Sequence, residues 1–232
     1  MNTLSLATKL FASSMILSSS VFAETTEESL AQIDAASNRL NISALKELSQ
    51  THTDYEQAYA NYRLAIAENL SGNRTQAKAS LNDAATTLEN LNQTQNSAEN
   101  YALLSAVYGM SIALSPMKGM TLGPKADKAI NQAQALAPNN PRVYLVKAIA
   151  AFNTPKMFGG SKQKALDFSN KAIDLFSTPC SHICWGQAEA YTWRGLTKQN
   201  EGDIQGAISD WKQALTIEPT YGWAKFLIQQ NQ

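Results

Sequence analysis

An all-α fold is what this sequence predicts: an irregular α-α superhelix, a solenoid of about four antiparallel helix pairs with capping helices at both ends. Three observations carry that expectation. Near the C-terminus, Gly202, Ala207, Trp211, Ala214 and Pro219 read G-x4-A-x3-W-x2-A-x4-P, with Tyr191 and Gly195 at matching places in the helix before. The same offsets return upstream, because one helix pair cannot bury its own apolar face and needs stacked neighbours. No segment alternates apolar and polar residues as a strand would, and Ala, Leu and Gln are abundant while β-branched runs are scarce.

Each residue of the pattern has a mechanical reason. Gly202 turns the chain between two helices, since glycine tolerates the left-handed conformation that ends a helix. Ala207, Trp211 and Ala214 share one face of the second helix, the small residues admitting a neighbour's backbone and the indole filling the gap between helices. Pro219 cannot continue a helix and stops the unit. Gly195 lets the first helix come close to the second. Ala65, Gly72, Ala77, Leu81 and Ala84 repeat these offsets, with Glu89 where proline would stand and a softer exit expected there. A second-helix half recurs as Ala126, Ile130, Ala133 and Pro138. Ala165 and Ala172 mark another, in which Ser169 holds the bulky position and Phe168 beside it is expected to do the packing.

This spacing is that of the tetratricopeptide repeat, which has a period of about 34 residues. The anchor alanines Ala77, Ala126, Ala165 and Ala207 are separated by 49, 39 and 42 residues, so insertions lie between units. One insertion, Ser115 to Pro124, joins a helix ending near Leu114 to one expected to start at Pro124, a residue suited to a first helical position. A second runs from Thr154 to Ser161, where Ser161 can cap the next helix. Pro138-Asn139-Asn140-Pro141-Arg142 reads as a turn between units. Asn140-Pro141-Arg142, Pro155-x-x-Phe158-Gly159-Gly160 and Trp185-Gly186-x-x-Glu189-Ala190 together resemble a group of exported bacterial tetratricopeptide proteins, over about Ala58 to Pro219. That resemblance implies fold and export, and no activity to carry over residue by residue.

The N-terminus reads as a secretory signal peptide. Lys9 precedes the apolar stretch Leu10 to Leu17, and Val21-Phe22-Ala23 offers small residues for cleavage after Ala23. The stretch is too short for a transmembrane helix, which needs about 20 apolar residues, and no later segment spans a membrane. The expected organisation is a signal peptide at 1–23, N-terminal capping helices at 24–57, repeats at 58–219 and a C-terminal capping helix at 220–232. The mature chain is expected in the periplasm.

Charge excludes one class of partner. Lys and Arg total 19 against 19 Asp and Glu, and no basic stripe points to nucleic acid. Gly159-Gly160-Ser161 has neither the preceding strand nor the Gly-Lys ending of a nucleotide loop, and reads as a tight turn. The methionines of the two insertions, Met117, Met120 and Met157, with Phe158, are expected in the seams between units, or else as a hydrophobic lip beside the groove. Cys180 and Cys184 are the only cysteines. In an oxidising compartment they are expected to form a small disulfide loop; a metal site with His182 lacks a fourth ligand, and C-x-x-x-C fits a redox pair poorly.

No catalytic constellation assembles from His52 and His182, and neither a cofactor nor a metal is implied, so an enzyme is not expected. Glu189, beside Trp185 and Trp193, is the best single candidate for a functional carboxylate, and a surface or capping acid after Gly186 is the plainer and favoured reading of it. Stacked first helices line a concave groove in such solenoids, and partners lie there as extended peptides or helices. Repeat offset sends Tyr59, Tyr62, Ile66, Tyr144, Glu189, Thr192 and Leu196 to that groove. The function expected is a periplasmic scaffold for a protein or peptide partner; the alternative is a small-molecule binder working with a transporter.

Overall fold

The computed structural model describes residues 25–180 and 182–231. The signal peptide expected at residues 1–23 lies outside them. Among the described residues there are eleven α-helices and no strand. Helices α1 (Thr26–Asn38) and α2 (Ile42–Thr51) come first. Four antiparallel pairs follow: α3 (Asp54–Leu70) with α4 (Arg74–Thr94), α5 (Ala98–Leu114) with α6 (Gly119–Leu136), α7 (Pro141–Asn153) with α8 (Lys162–Phe176), and α9 (Gln187–Asn200) with α10 (Ile204–Ile217). The last helix, α11 (Gly222–Gln229), packs on α10.

The repeat residues do the mechanical work the spacing assigns them. Gly72 and Gly202 turn the first and fourth pairs with φ of 83° and 92°. Ala77, Leu81 and Ala84 on α4, and Ala207, Trp211 and Ala214 on α10, are buried against their partner helices. A Cβ at Gly195 would run into the Trp211 indole, so only glycine permits this approach of α9 to α10. Without a proline at position 89, α4 runs on to Thr94, and Glu89 instead accepts a hydrogen bond from the Tyr108 hydroxyl of α5.

The third pair is looser in its chemistry. Ser169 is wholly buried where Trp211 and Leu81 stand in other pairs, and its hydroxyl has no hydrogen-bond partner. Phe168 reaches sideways to Tyr144, ring centroids 6.4 Å apart. The insertions differ from expectation at one point. Helix α6 starts at Gly119 rather than Pro124, because a 3-10 turn over Pro116–Lys118 feeds directly into it. Pro124 therefore lies inside the helix, on its exposed face, where water can satisfy the carbonyl that loses its partner. Ser161 caps α8 through the Lys164 amide at 3.2 Å, and Asn140 caps α7 through the Arg142 amide at 2.8 Å.

The superhelix closes on itself. Helix α1 packs on α3 and buries Leu30 and Ile33, and a Cβ at Gly222 would sit 3.0 Å from the Asn38 carbonyl. The beginning and the end of the described chain thus meet.

Candidate functional site

The candidate site is built on one stripe of α3. Tyr55, Tyr59 and Arg63 follow at four-residue steps, with Tyr62 beside them, so helical geometry stacks them on a common side. Arg63 is buried, and each of its nitrogens is engaged. Its Nε and Nη2 donate to the Tyr59 hydroxyl at 2.8 and 2.6 Å, its Nη2 pairs with Asp34 of α1 at 3.2 Å, and its Nη1 donates to Glu189 of α9. Tyr59 donates in turn to Asp34 at 2.6 Å. One guanidinium therefore ties α1, α3 and α9, with Arg63 and Glu189 126 residues apart in the chain.

Aromatic rings wall this cluster. Trp185 stacks on Tyr59 at 5.2 Å, and its indole N–H donates to the Tyr55 hydroxyl at 2.9 Å. Trp185 is delivered by the segment that Cys180 and Cys184 close: the two are joined in a disulfide, Cα atoms 5.6 Å apart. In the bonded state neither sulfur is a thiolate able to ligate a metal. Gly186 follows with φ of 108°, and a Cβ there would strike Leu145 and Phe176. A second buried ion pair, Arg142 of α7 on Glu99 of α5, is bidentate with both bonds at 2.6 Å.

The electrostatics follow from burial. Desolvation raises the Asp34 carboxyl above its usual range, with the Arg63 charge and the Tyr59 hydrogen bond pulling the other way. Burial, with the nearby Glu189 charge, pushes Tyr62 up to about 12. Arg63 stays charged: burial opposes it, and Glu189, Tyr59 and Asp34 outweigh that. The cluster is an ion network satisfied from within.

The residues expected in the groove part company here. Tyr59, Tyr62 and Glu189 converge on Arg63. Tyr59 and Thr192 have no exposed surface: Tyr59 donates to Asp34 of α1, and the Thr192 carbonyl accepts the Trp211 indole N–H at 3.3 Å. Tyr144 does not join them. It packs on Phe168, and its hydroxyl donates to the Pro138 carbonyl, which places it within the α7–α8 pair. Leu196 packs into the C-terminal core around Trp211, and Ile66 is half-buried on α3.

Sequence reasoning missed an aromatic row. Phe152 of α7, Trp193 of α9 and Trp223 of α11 meet edge to face, with centroids 5.4 and 5.2 Å apart. All three keep part of their surface in solvent. They sit on successive first-type helices, and only the step between those helices, not the internal repeat offsets, could have linked them.

No protein-family model matches the chain, and no curated protein matches it. Solved structures do. The HusA haemophore from Porphyromonas gingivalis aligns over 77% of this chain and 94% of its own, with 21% identity and a TM-score of 0.56. TTC0263, a thermophilic TPR protein of Thermus thermophilus, aligns over 87% of this chain and 91% of its own, with 20% identity and a TM-score of 0.50. Helix pairs, turn glycines, alanine anchors and these neighbours agree on one conclusion: the fold is a tetratricopeptide-like helical solenoid.

Proposed function

We propose that this protein is an exported, periplasmic scaffold that binds a protein or peptide partner along the aromatic side of its concave face. The observation that carries the reading is the half-exposed row Phe152–Trp193–Trp223, which crosses three helices next to the Arg63 cluster. Large rings with polar tips give contact area at low conformational cost, which suits an interface that must also face water. Tyr62, Ile66 and Glu189 each keep some exposed surface on α3 and α9, while Tyr59 and Thr192 are buried. The proposal assigns chemistry to no residue, and so no enzymatic role.

Export is supported by the leader pattern at residues 1–23 and by the Cys180–Cys184 disulfide, a bond that persists in oxidising compartments. A mature N-terminus at Glu24 in the osmotic-shock fraction is the expected result, and uncleaved protein in the cytoplasm would end this part of the reading. The small-molecule alternative has a fold precedent in the haemophore. Its weakness is the lining of the clefts: one of 400 Å³ is walled by Thr53, Asp54, Gln57, Thr87, Asn90 and Thr94 with a single leucine, and lacks the apolar walls of a ligand pocket.

Affinity capture from the native envelope fraction, read by mass spectrometry, tests the main proposal. Wild type and Tyr144→Ala should enrich the same partner; Trp193→Ala and Tyr62→Ala, checked for folding by circular dichroism, should lose it. Equal capture by all four removes the concave face from the function.

A further inference from the structure

The turns inside the four helix pairs lie along one edge of the solenoid. Arg74 at the start of α4 donates to the Leu114 carbonyl at 2.8 Å, tying the first turn to the second. A cleft lined by Lys156, Gly160, Ser161 and Lys162 together with Asn200 and Glu201 sets the third turn beside the fourth. On this edge the two insertions project Met117, Met120, Met157 and Phe158, which are 96%, 91%, 82% and 72% exposed. They are the four most exposed large apolar side chains among the described residues, and they do not tuck into the seams. Leu70, at the end of α3, adds a fifth on the same edge.

Charge is equally uneven. Residues 115–126 hold Lys118 and Lys125 and residues 154–166 hold Lys156, Lys162 and Lys164, five lysines against Asp127 and Asp167 next in the chain and Glu201 and Asp203 on the fourth turn. Lys125 reaches Glu89 at 3.5 Å, and Lys162 is engaged by the Phe152 carbonyl and ring. Lys118, Lys156 and Lys164 remain exposed beside the methionines.

We propose that this edge docks on an anionic phospholipid surface, with Met117, Met120, Met157 and Phe158 entering the headgroup–acyl boundary and the lysines meeting lipid phosphates. Three features select a bilayer over a peptide. The apolar groups stand on turn tips and have no concave wall to enclose a chain. The two tips stand at the turn ends of adjacent helix pairs, so one surface can meet both. Flexible methionines flanked by lysines combine apolar insertion with attraction to anionic headgroups, the two terms that hold interfacial proteins.

Flotation of the purified protein with vesicles tests it. Vesicles of about one-third phosphatidylglycerol in phosphatidylcholine should carry the protein up the gradient, pure phosphatidylcholine far less, and added salt should weaken the binding. The triple change Met117→Ser, Met157→Ser, Phe158→Ser should lower vesicle affinity by about tenfold or more. Lys118→Glu with Lys156→Glu should do so by about fivefold per lysine. All five positions are exposed, and unchanged circular dichroism confirms that each variant folds. No flotation with anionic vesicles, equal flotation with both lipids, or unchanged affinity in the triple variant would overturn the proposal. So would a photo-crosslinker at position 157 that labels one protein and no lipid in intact cells.

Discussion

Replacing Glu189 by alanine is the sharpest probe of the Arg63 cluster. Arg63 has 9% of its side chain exposed, Glu189 13% and Asp34 26%. At 3.2 Å and an effective dielectric of about 20, the Arg63–Asp34 attraction alone is about 5 kcal/mol before desolvation. Stripping water from each ion costs several kcal/mol, so the network as a whole stabilises little; what is costly is leaving one member without its partner. Glu189→Ala leaves the buried guanidinium with a single, partly exposed carboxylate, and should destabilise by about 3 kcal/mol. Arg63→Met combined with Glu189→Met and Asp34→Asn removes the mismatch, since the amide at position 34 still accepts from Tyr59, and should cost less than Glu189→Ala alone. Urea titration followed by far-ultraviolet circular dichroism measures both. A loss below about 1 kcal/mol for Glu189→Ala is what a solvent-screened surface pair would give, and would refute this account of the cluster.

The remaining predictions concern neighbouring parts of the molecule. Asp34 has its carboxyl pKa raised in the folded state, so its contribution is fully present below its unfolded value and is lost as pH rises through the folded one. Stability of Asp34→Asn relative to wild type should therefore improve as pH is raised from acid to neutral, and a constant difference would contradict this. Ser169→Ala removes a buried hydroxyl without a partner and should raise stability by about 1 kcal/mol, read from the urea midpoint. Cys180→Ser with Cys184→Ser opens a short loop and should cost about 2 kcal/mol, a fall in Tm of roughly 4–8 °C by scanning calorimetry. Gly195→Ala drives a methyl into the Trp211 indole and should cost about 1–3 kcal/mol, with Trp211 fluorescence changed.

Most of the fold was legible because the repeat is written in short-range spacing. Gly202 to Pro219 encodes a turn, a close-packed face and a stop within one unit, and the degraded copies at Ala65 and Ala126 keep enough of it. The groove was only partly legible. Tyr59 and Tyr62 lie beside Arg63 because helix periodicity puts them there, and Glu189 reaches the same guanidinium from α9. Asp34 carried no signal, since it acts through the placement of α1, a long-range contact that no repeat offset encodes. Arg63 did leave a trace: a lone cation four residues after Tyr59, in the stripe that must be buried, needs a counter-charge from elsewhere. Tyr144 sits near the same offset, yet it packs on Phe168 beside the undersized Ser169 in its own pair. Met117 and Met157 misled as apolar residues on loops with nothing to bury them.

An open solenoid resembles a linear chain of weakly linked units, in which end units fray first and the whole flexes like a spring. The Arg63 contact to Glu189, with Asn38 lying against Gly222, makes this one a ring in energetic terms. Loosening either end breaks the same bonds, so the first and last units gain protection from each other as well as from their sequence neighbours. Amide exchange should accordingly lack the gradient from ends to middle that a linear array shows, and the concave face should keep one curvature under load instead of opening and closing.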